Sequence, residues 1–256
     1  MWFDSHMHTE FSVDSEMKAS DALARAGELG MGCVFTEHYD FMPEGEMPFS
    51  FPPEDYWNAY ASLRGDRLRL GVELGMTPES REANRAFLER APFDQVIGSI
   101  HFVEGKDIYY PEIYEGREKE DVYHSYFKMM AEEAAEQDID VLGHIDYIAR
   151  NAPYENPELD YGTFQEDIDR VLEAVVERGI VLELNTRRLG TRRALKELAP
   201  VYRRYKEMGG NYATIGSDAH KPETIGANFA EALDFLGALG IQPVTFCKRN
   251  MEILRP

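Results

Sequence analysis

The chain has 256 residues, 43% of them hydrophobic, with 27 Lys and Arg against 47 Asp and Glu and a net charge of −20. That apolar fraction supplies an ordinary globular core, while so acidic a surface repels nucleic-acid phosphates unless basic residues are concentrated locally. No apolar run approaches the roughly 20 residues that span a bilayer, and the N-terminus lacks a signal-peptide pattern, so a cytoplasmic protein without membrane or nucleic-acid partners is expected.

In chain order, the first apolar run is WFDSH (2–6), which ends on His6, with His8 just beyond it. Residues i and i+2 of a strand share a face, so the two imidazoles project together. Asp14 follows in a loop, and an amphipathic stretch over 20–30 predicts a helix. GCVFTEH (32–38) is the second strand and ends on His38; a long loop (40–55) and a helical pattern (54–64) follow. LRLGVEL (68–74) carries Glu73 near its end, ahead of a helix over 79–90. QVIGSIH (95–101) ends on His101 and opens a second long loop, 102–117.

A helix over 118–137 carries His124 about 120° from the centre of its apolar stripe, a surface position. VLGHI (141–145) places His144 near a strand end, ahead of a helix over 162–178. IVLELN (180–185) precedes a helix over 191–208; YATIGS (212–217) runs into Asp218 and His220, with a last helix over 223–238. Cys33 and Cys247 sit in apolar runs far apart, as buried free thiols of a reducing compartment do.

Strand and helix alternate about seven times, and the strands are rich in Val, Ile and Leu rather than alternating. That pattern predicts parallel βα units buried on both faces. With no linker or low-complexity stretch, residues 1–256 read as one barrel-like domain. In a βα barrel the C-terminal strand ends share one mouth. All the histidines except His124 fall at or just past predicted strand ends. Singly, each has a plain structural explanation, such as Asp218 capping the next helix; jointly they point to a metal site. Imidazole and carboxylate donors without thiolate suit zinc, iron or manganese. The two long loops bring Asp40, Glu44, Glu46, Glu104, Asp107 and Glu112 among aromatics. They form either a solvated acidic rim or a receptor for an ammonium or imidazole group.

The ordered set HxH, TEH, VE, SIH, GH and SDAH resembles the polymerase and histidinol phosphatase (PHP) family, from His6 to His220. The resemblance implies a distorted seven-stranded (β/α) barrel of the PHP type. It implies a centre of two to three divalent ions held by His6, His8, Asp14, His38, Glu73, His101, His144, Asp218 and His220. The segments GHIDYIAR and LELNTRRLG are similar to those of the stand-alone histidinol phosphate phosphatases, which hold substrate phosphate with arginines from the corresponding loops. Arg150 and Arg188 are the matching candidates, with Arg187 competing for the second place. The implied activity is hydrolysis of L-histidinol phosphate through a hydroxide bridging the ions. Glu73 would be the bridging carboxylate, and Asp218 or a metal-bound water the acid for the leaving group. A nucleotide or another small phosphate ester is the alternative substrate, and a non-catalytic metal-binding module the alternative role.

Overall fold

The computed structural model describes residues 1–42 and 49–255. Its strands are β1 (Phe3–Met7), β2 (Gly32–Tyr39), β3 (Leu68–Gly75), β4 (Val96–Ser99), β5 (Phe102–Val103), β6 (Lys106–Asp107), β7 (Val141–Leu142), β8 (Val181–Asn185), β9 (Tyr212–Gly216), β10 (Gln242–Cys247) and β11 (Asn250–Ile253). Between them run helices α1 (Ala19–Glu28), α2 (Pro53–Tyr60), α3 (Arg81–Leu88), α4 (Lys119–Glu136), α5 (Gln165–Arg178), α6 (Arg192–Glu207) and α7 (Phe229–Leu239). The fold is α/β with a mostly parallel central sheet, ordered β1-β2-β3-β4-β7-β8-β9-β10-β11. Its first seven members are the seven strands legible in the sequence, in chain order and parallel.

The flanks of that series are tied together. Asp218 N–H donates to the His6 carbonyl at 2.9 Å and His8 N–H to the Ala219 carbonyl at 2.9 Å. Asp4 on β1 reinforces the seam by accepting from the backbone N–H of Ser217, at 2.8 Å, and of Gly226, at 2.9 Å. Every C-terminal strand end in the series is thereby drawn toward one place.

Helices pack by the usual periodicity. Along α5 the buried residues are Ile168, Val171, Leu172 and Val175, with acids in the first turn, Arg178 in the last and Gly179 at φ 70° closing it. The core includes Phe35, Tyr56, Tyr60 and Phe87, all buried. The Tyr56 hydroxyl keeps its polar end satisfied by donating to the Phe35 carbonyl at 2.9 Å.

Two features depart from the sequence reading. The strands β10 and β11 extend the sheet, β10 parallel to β9 and β11 antiparallel at the edge. Pro243 sits near the start of the first, ahead of the buried Val244, Thr245 and Phe246, and β11 is exposed throughout, so neither reads as a long apolar run. Within the expected long loop, β5 and β6 form a hairpin whose two-residue turn, Glu104 at φ 54° and Gly105 at φ 73°, is left-handed at both positions. Both cysteines are free, but only Cys33 is fully buried. Among the described residues, no helix is long and apolar enough to cross a membrane.

Candidate metal centre

Strand register builds the centre. On the β2–β3 pair His38 lies directly beside Glu73, so the two side chains share a face. Glu73 distributes five imidazoles between its oxygens. Oε2 lies 3.0 Å from His38 Nδ1, 3.2 Å from His6 Nε2 and 3.5 Å from His8 Nε2. Oε1 lies 2.8 Å from His144 Nε2 and 3.3 Å from His101 Nε2. Asp218, left-handed at φ 52°, holds Oδ1 3.4 Å from His8 Nε2 and 3.6 Å from His220 Nδ1. Asp14 joins from the loop after β1, its Oδ2 3.0 Å from His220 Nε2 and 3.7 Å from His38 Nε2.

All nine residues read from the sequence as ligands therefore meet. His101 and His144 do so from two residues past the ends of β4 and β7, not from within strands, because the chain leaves the sheet early at both places. His124 lies exposed on α4, paired with Asp167 at 3.0 Å, outside the cluster.

A second layer orients the rings. Glu183 on β8 accepts from His6 Nδ1 at 2.6 Å and from the His144 backbone N–H at 2.9 Å. Asp40 accepts from His101 Nδ1 at 2.9 Å. His8 Nδ1 reaches Ser12 Oγ at 3.1 Å, and Ser12 donates onward to the buried Glu37 at 2.6 Å. The three ring contacts place a proton on the outer nitrogen of His6, His101 and His8 and turn the other nitrogen inward, while the backbone contact holds the His144 main chain. Two glycines make room: a Cβ at Gly75 would come 1.8 Å from Asp40 Oδ1, and one at Gly216 would come 2.3 Å from Glu183 Oε1.

Glu183 was missed, although an acid inside the apolar run VLELN was its visible signal. Asp40 was read as rim but is buried. Glu183→Gln should leave the fold intact and lower metal affinity about 10–100-fold, measured by chelator competition; undiminished affinity removes Glu183 from this role.

The donor set fits divalent ions. Glu73 Oε2, His38 Nδ1 and His144 Nδ1 are buried without a hydrogen-bond partner, each a cost of about 1–3 kcal/mol if left uncompensated. The Nε2 atoms of His6 and His8 face each other at 3.1 Å. Several overlapping triads, including His6–His8–Asp218, Glu73–His101–His144 and His8–His38–His220, bring their donor atoms within 4.8 Å of one another. Burial pushes Glu73 upward, but His6, His38 and His101 outweigh it and hold the carboxyl well below its usual range. Burial, with His38 and His220 alongside, holds His8 well below the ordinary imidazole value. Ionised carboxylate and neutral imidazole are the forms that bind metal. Burial lowers His6, His38 and His101, but Glu183, Glu73 and Asp40 outweigh it and hold these three above the ordinary imidazole value, so a bound cation would have to displace their protons.

A cleft of about 430 Å³ opens over the centre. Arg150, at the end of the 3-10 turn Tyr147–Arg150, places Nη1 3.4 Å from Asp218 Oδ2. Arg187 places Nη1 3.2 Å from the same oxygen. Both line the cleft, as does Lys221, which sequence reading passed over. Arg188 corrects the expectation: it turns away to Asp146 and Glu158, whose buried carboxylates capture its guanidinium. Of the acidic loop residues, Asp40 and Asp107 reach the cleft with Phe49, Phe102, Tyr109 and Tyr110. Glu104 instead binds Arg117 at 3.0 Å, Glu112 is exposed, and Glu44 and Glu46 lie outside the described residues.

Fold and centre together define a class: a parallel α/β protein with a histidine–carboxylate metal centre at the C-terminal ends of its strands. The PHP domain family model matches residues 4–187, and the chain belongs to the PHP family. It is 41% identical to a probable histidinol-phosphatase of Clostridium acetobutylicum, over 98% of this chain and 99% of that protein. It is 28% identical to the histidinol-phosphatase of Lactococcus lactis subsp. lactis, over 85% of this chain and 83% of that one. The crystal structure of histidinol phosphate phosphatase from Lactococcus lactis subsp. lactis, complexed with zinc, L-histidinol and phosphate, superposes with a TM-score of 0.90. That match covers 98% of both chains at 26% identity.

Proposed function

We propose that this chain is a metal-dependent phosphatase that hydrolyses L-histidinol phosphate to L-histidinol and phosphate, its 256 residues forming one distorted PHP-type barrel. The observation that carries this reading is the composition of a single cleft. The histidine–carboxylate centre, two arginines and an acidic, aromatic rim all line it. Those are the complements of a phosphoryl group and of a cationic amine and imidazole. The relative of known structure, matched along almost the whole chain, holds zinc, L-histidinol and phosphate.

The nine converging side chains would hold two to three ions of zinc, iron or manganese, with Glu73 between them. Divalent ions bound there lower the pKa of water toward neutrality and neutralise charge developing at phosphorus. The protein's own groups do the rest. Arg150 and Arg187 offer planar forks to the non-bridging oxygens, a geometry that lysine lacks. They approach Asp218 Oδ2 from two different loops, at 3.4 and 3.2 Å, which marks where an anionic oxygen sits. Burial raises the Asp218 carboxyl, but the His8 hydrogen bond and the imidazoles of His6, His8 and His220 hold it well below its usual range. It is therefore an acceptor in this state, not a proton donor.

Phosphate release from L-histidinol phosphate, compared with nucleoside monophosphates by the metal-loaded protein, tests the reading. The histidinol ester should be turned over with far higher kcat/KM; equal or better use of nucleotides overturns the assignment. Asp107→Asn should lower kcat/KM for L-histidinol phosphate about tenfold or more, the value of a hydrogen bond to a charged group. An aryl phosphate whose leaving group carries no positive charge should be hydrolysed as before. Equal losses on both esters would remove Asp107 from cation recognition.

A further inference from the structure

Arg188 lies next to Arg187 yet faces a different environment. Its Nη1 donates to Asp146 Oδ2 at 2.5 Å and its Nη2 to Glu158 Oε2 at 2.6 Å. The side chain is 17% exposed and both carboxylates are buried. Each contact reaches a different segment. Asp146 sits between His144 and the turn that ends in Arg150. Glu158 belongs to the connection before α5, whose backbone is anchored to α4 where Lys119 Nζ donates to the Glu158 carbonyl at 2.6 Å. Arg193 also approaches Glu158, at 3.8 Å.

Beyond the paired ends of β7 and β8, no backbone hydrogen bond among the described residues joins the loop over 143–150 to the loop over 186–191. The Arg188 guanidinium joins them through side chains. A buried ion pair is a poor source of net stability, whereas a two-pronged fork is a good source of fixed geometry.

We propose that Arg188 is a positioning residue: by bridging Asp146 and Glu158 it fixes the spacing of the Arg150 and Arg187 guanidinium groups, so that both meet one phosphoryl group. The proposal rests on the reading above, in which those two arginines hold phosphate.

The test uses inorganic phosphate as a competitive inhibitor of the metal-loaded enzyme, alongside KM and kcat for L-histidinol phosphate. Arg188→Lys keeps the charge but cannot reach two carboxylates at once. Glu158→Gln leaves the arginine in place and removes one anchor. Both should keep wild-type metal content and weaken phosphate inhibition and KM about tenfold to a hundredfold, the cost of misplacing groups by about 1 Å. Changes in kcat should be smaller, and the double variant no worse than the weaker-binding single. If Glu158→Gln leaves phosphate binding unchanged or tighter while Arg188→Lys weakens it, Arg188 touches phosphate itself and the proposal is overturned. Unchanged inhibition in both variants, with only a lowered Tm, also overturns it. Should Arg188→Lys fail to fold, Glu158→Gln decides alone. Arg150→Ala and Arg187→Ala run in parallel: if neither weakens inhibition, the arginine assignment fails first and takes the proposal with it.

Discussion

Glu73→Gln should strip the protein of at least one ion and reduce turnover by several orders of magnitude. Five imidazoles face this one carboxylate, three at Oε2 and two at Oε1. Glutamine matches its volume, so the surrounding packing survives. It offers one oxygen in place of two and no charge, and its amide would point N–H donors at nitrogens that must present lone pairs. A divalent ion held here would lower the pKa of its bound water toward neutrality, so losing an ion would remove the means of making a nucleophile at neutral pH. Elemental analysis of the purified variant and a phosphate-release assay check both halves. Full metal content with wild-type turnover would show that the carboxylate does not bridge.

Arg150→Ala and Arg187→Ala should behave in the opposite manner. Each is expected to retain the metal content of the parent and to lose about a hundredfold in kcat/KM, the scale for removing one donor from a charge-stabilising site. The reason is placement: both guanidinium groups line the cleft and touch Asp218, while neither belongs to the imidazole cluster. The combination of intact metal and weak capture separates a phosphate-holding group from a ligand. Loss of metal from either variant would assign the arginine to the integrity of the centre instead.

How far the site was legible in the sequence follows from what each signal depends on. His6 and His8, or His38 beside Glu73, are readable because a buried parallel strand announces itself as an apolar run and its end marks the mouth. His101 and His144 were readable in place but not in conformation, since β4 stops two residues and β7 three residues earlier than the apolar pattern does. Glu183 hides because a carboxylate inside a strand is as easily a salt-bridged acid, and its partner His6 is 177 residues away. The choice between Arg187 and Arg188 is beyond any local pattern. Adjacent residues in an irregular turn diverge, and which one enters the cleft is settled by Asp146 and Glu158, 42 and 30 residues away. The β5–β6 hairpin that carries Asp107 to the rim rests on two paired residues per strand, too few for a periodic signal.

The seam between β1 and β9 gives the centre a mechanical side. His8 comes from the beginning of the chain and Asp218 from near its end, and at that seam the His8 amide donates to the Ala219 carbonyl and the Asp218 amide to the His6 carbonyl. An ion held by both side chains would be a clasp on a loop that spans most of the polypeptide, and closure entropy grows with loop length. Loading should therefore slow deuterium uptake first at the amides of His8 and Asp218, and chelation should loosen this seam before it disturbs β2 and β3. The catalytic inventory of the protein and the latch that shuts its architecture are then one object.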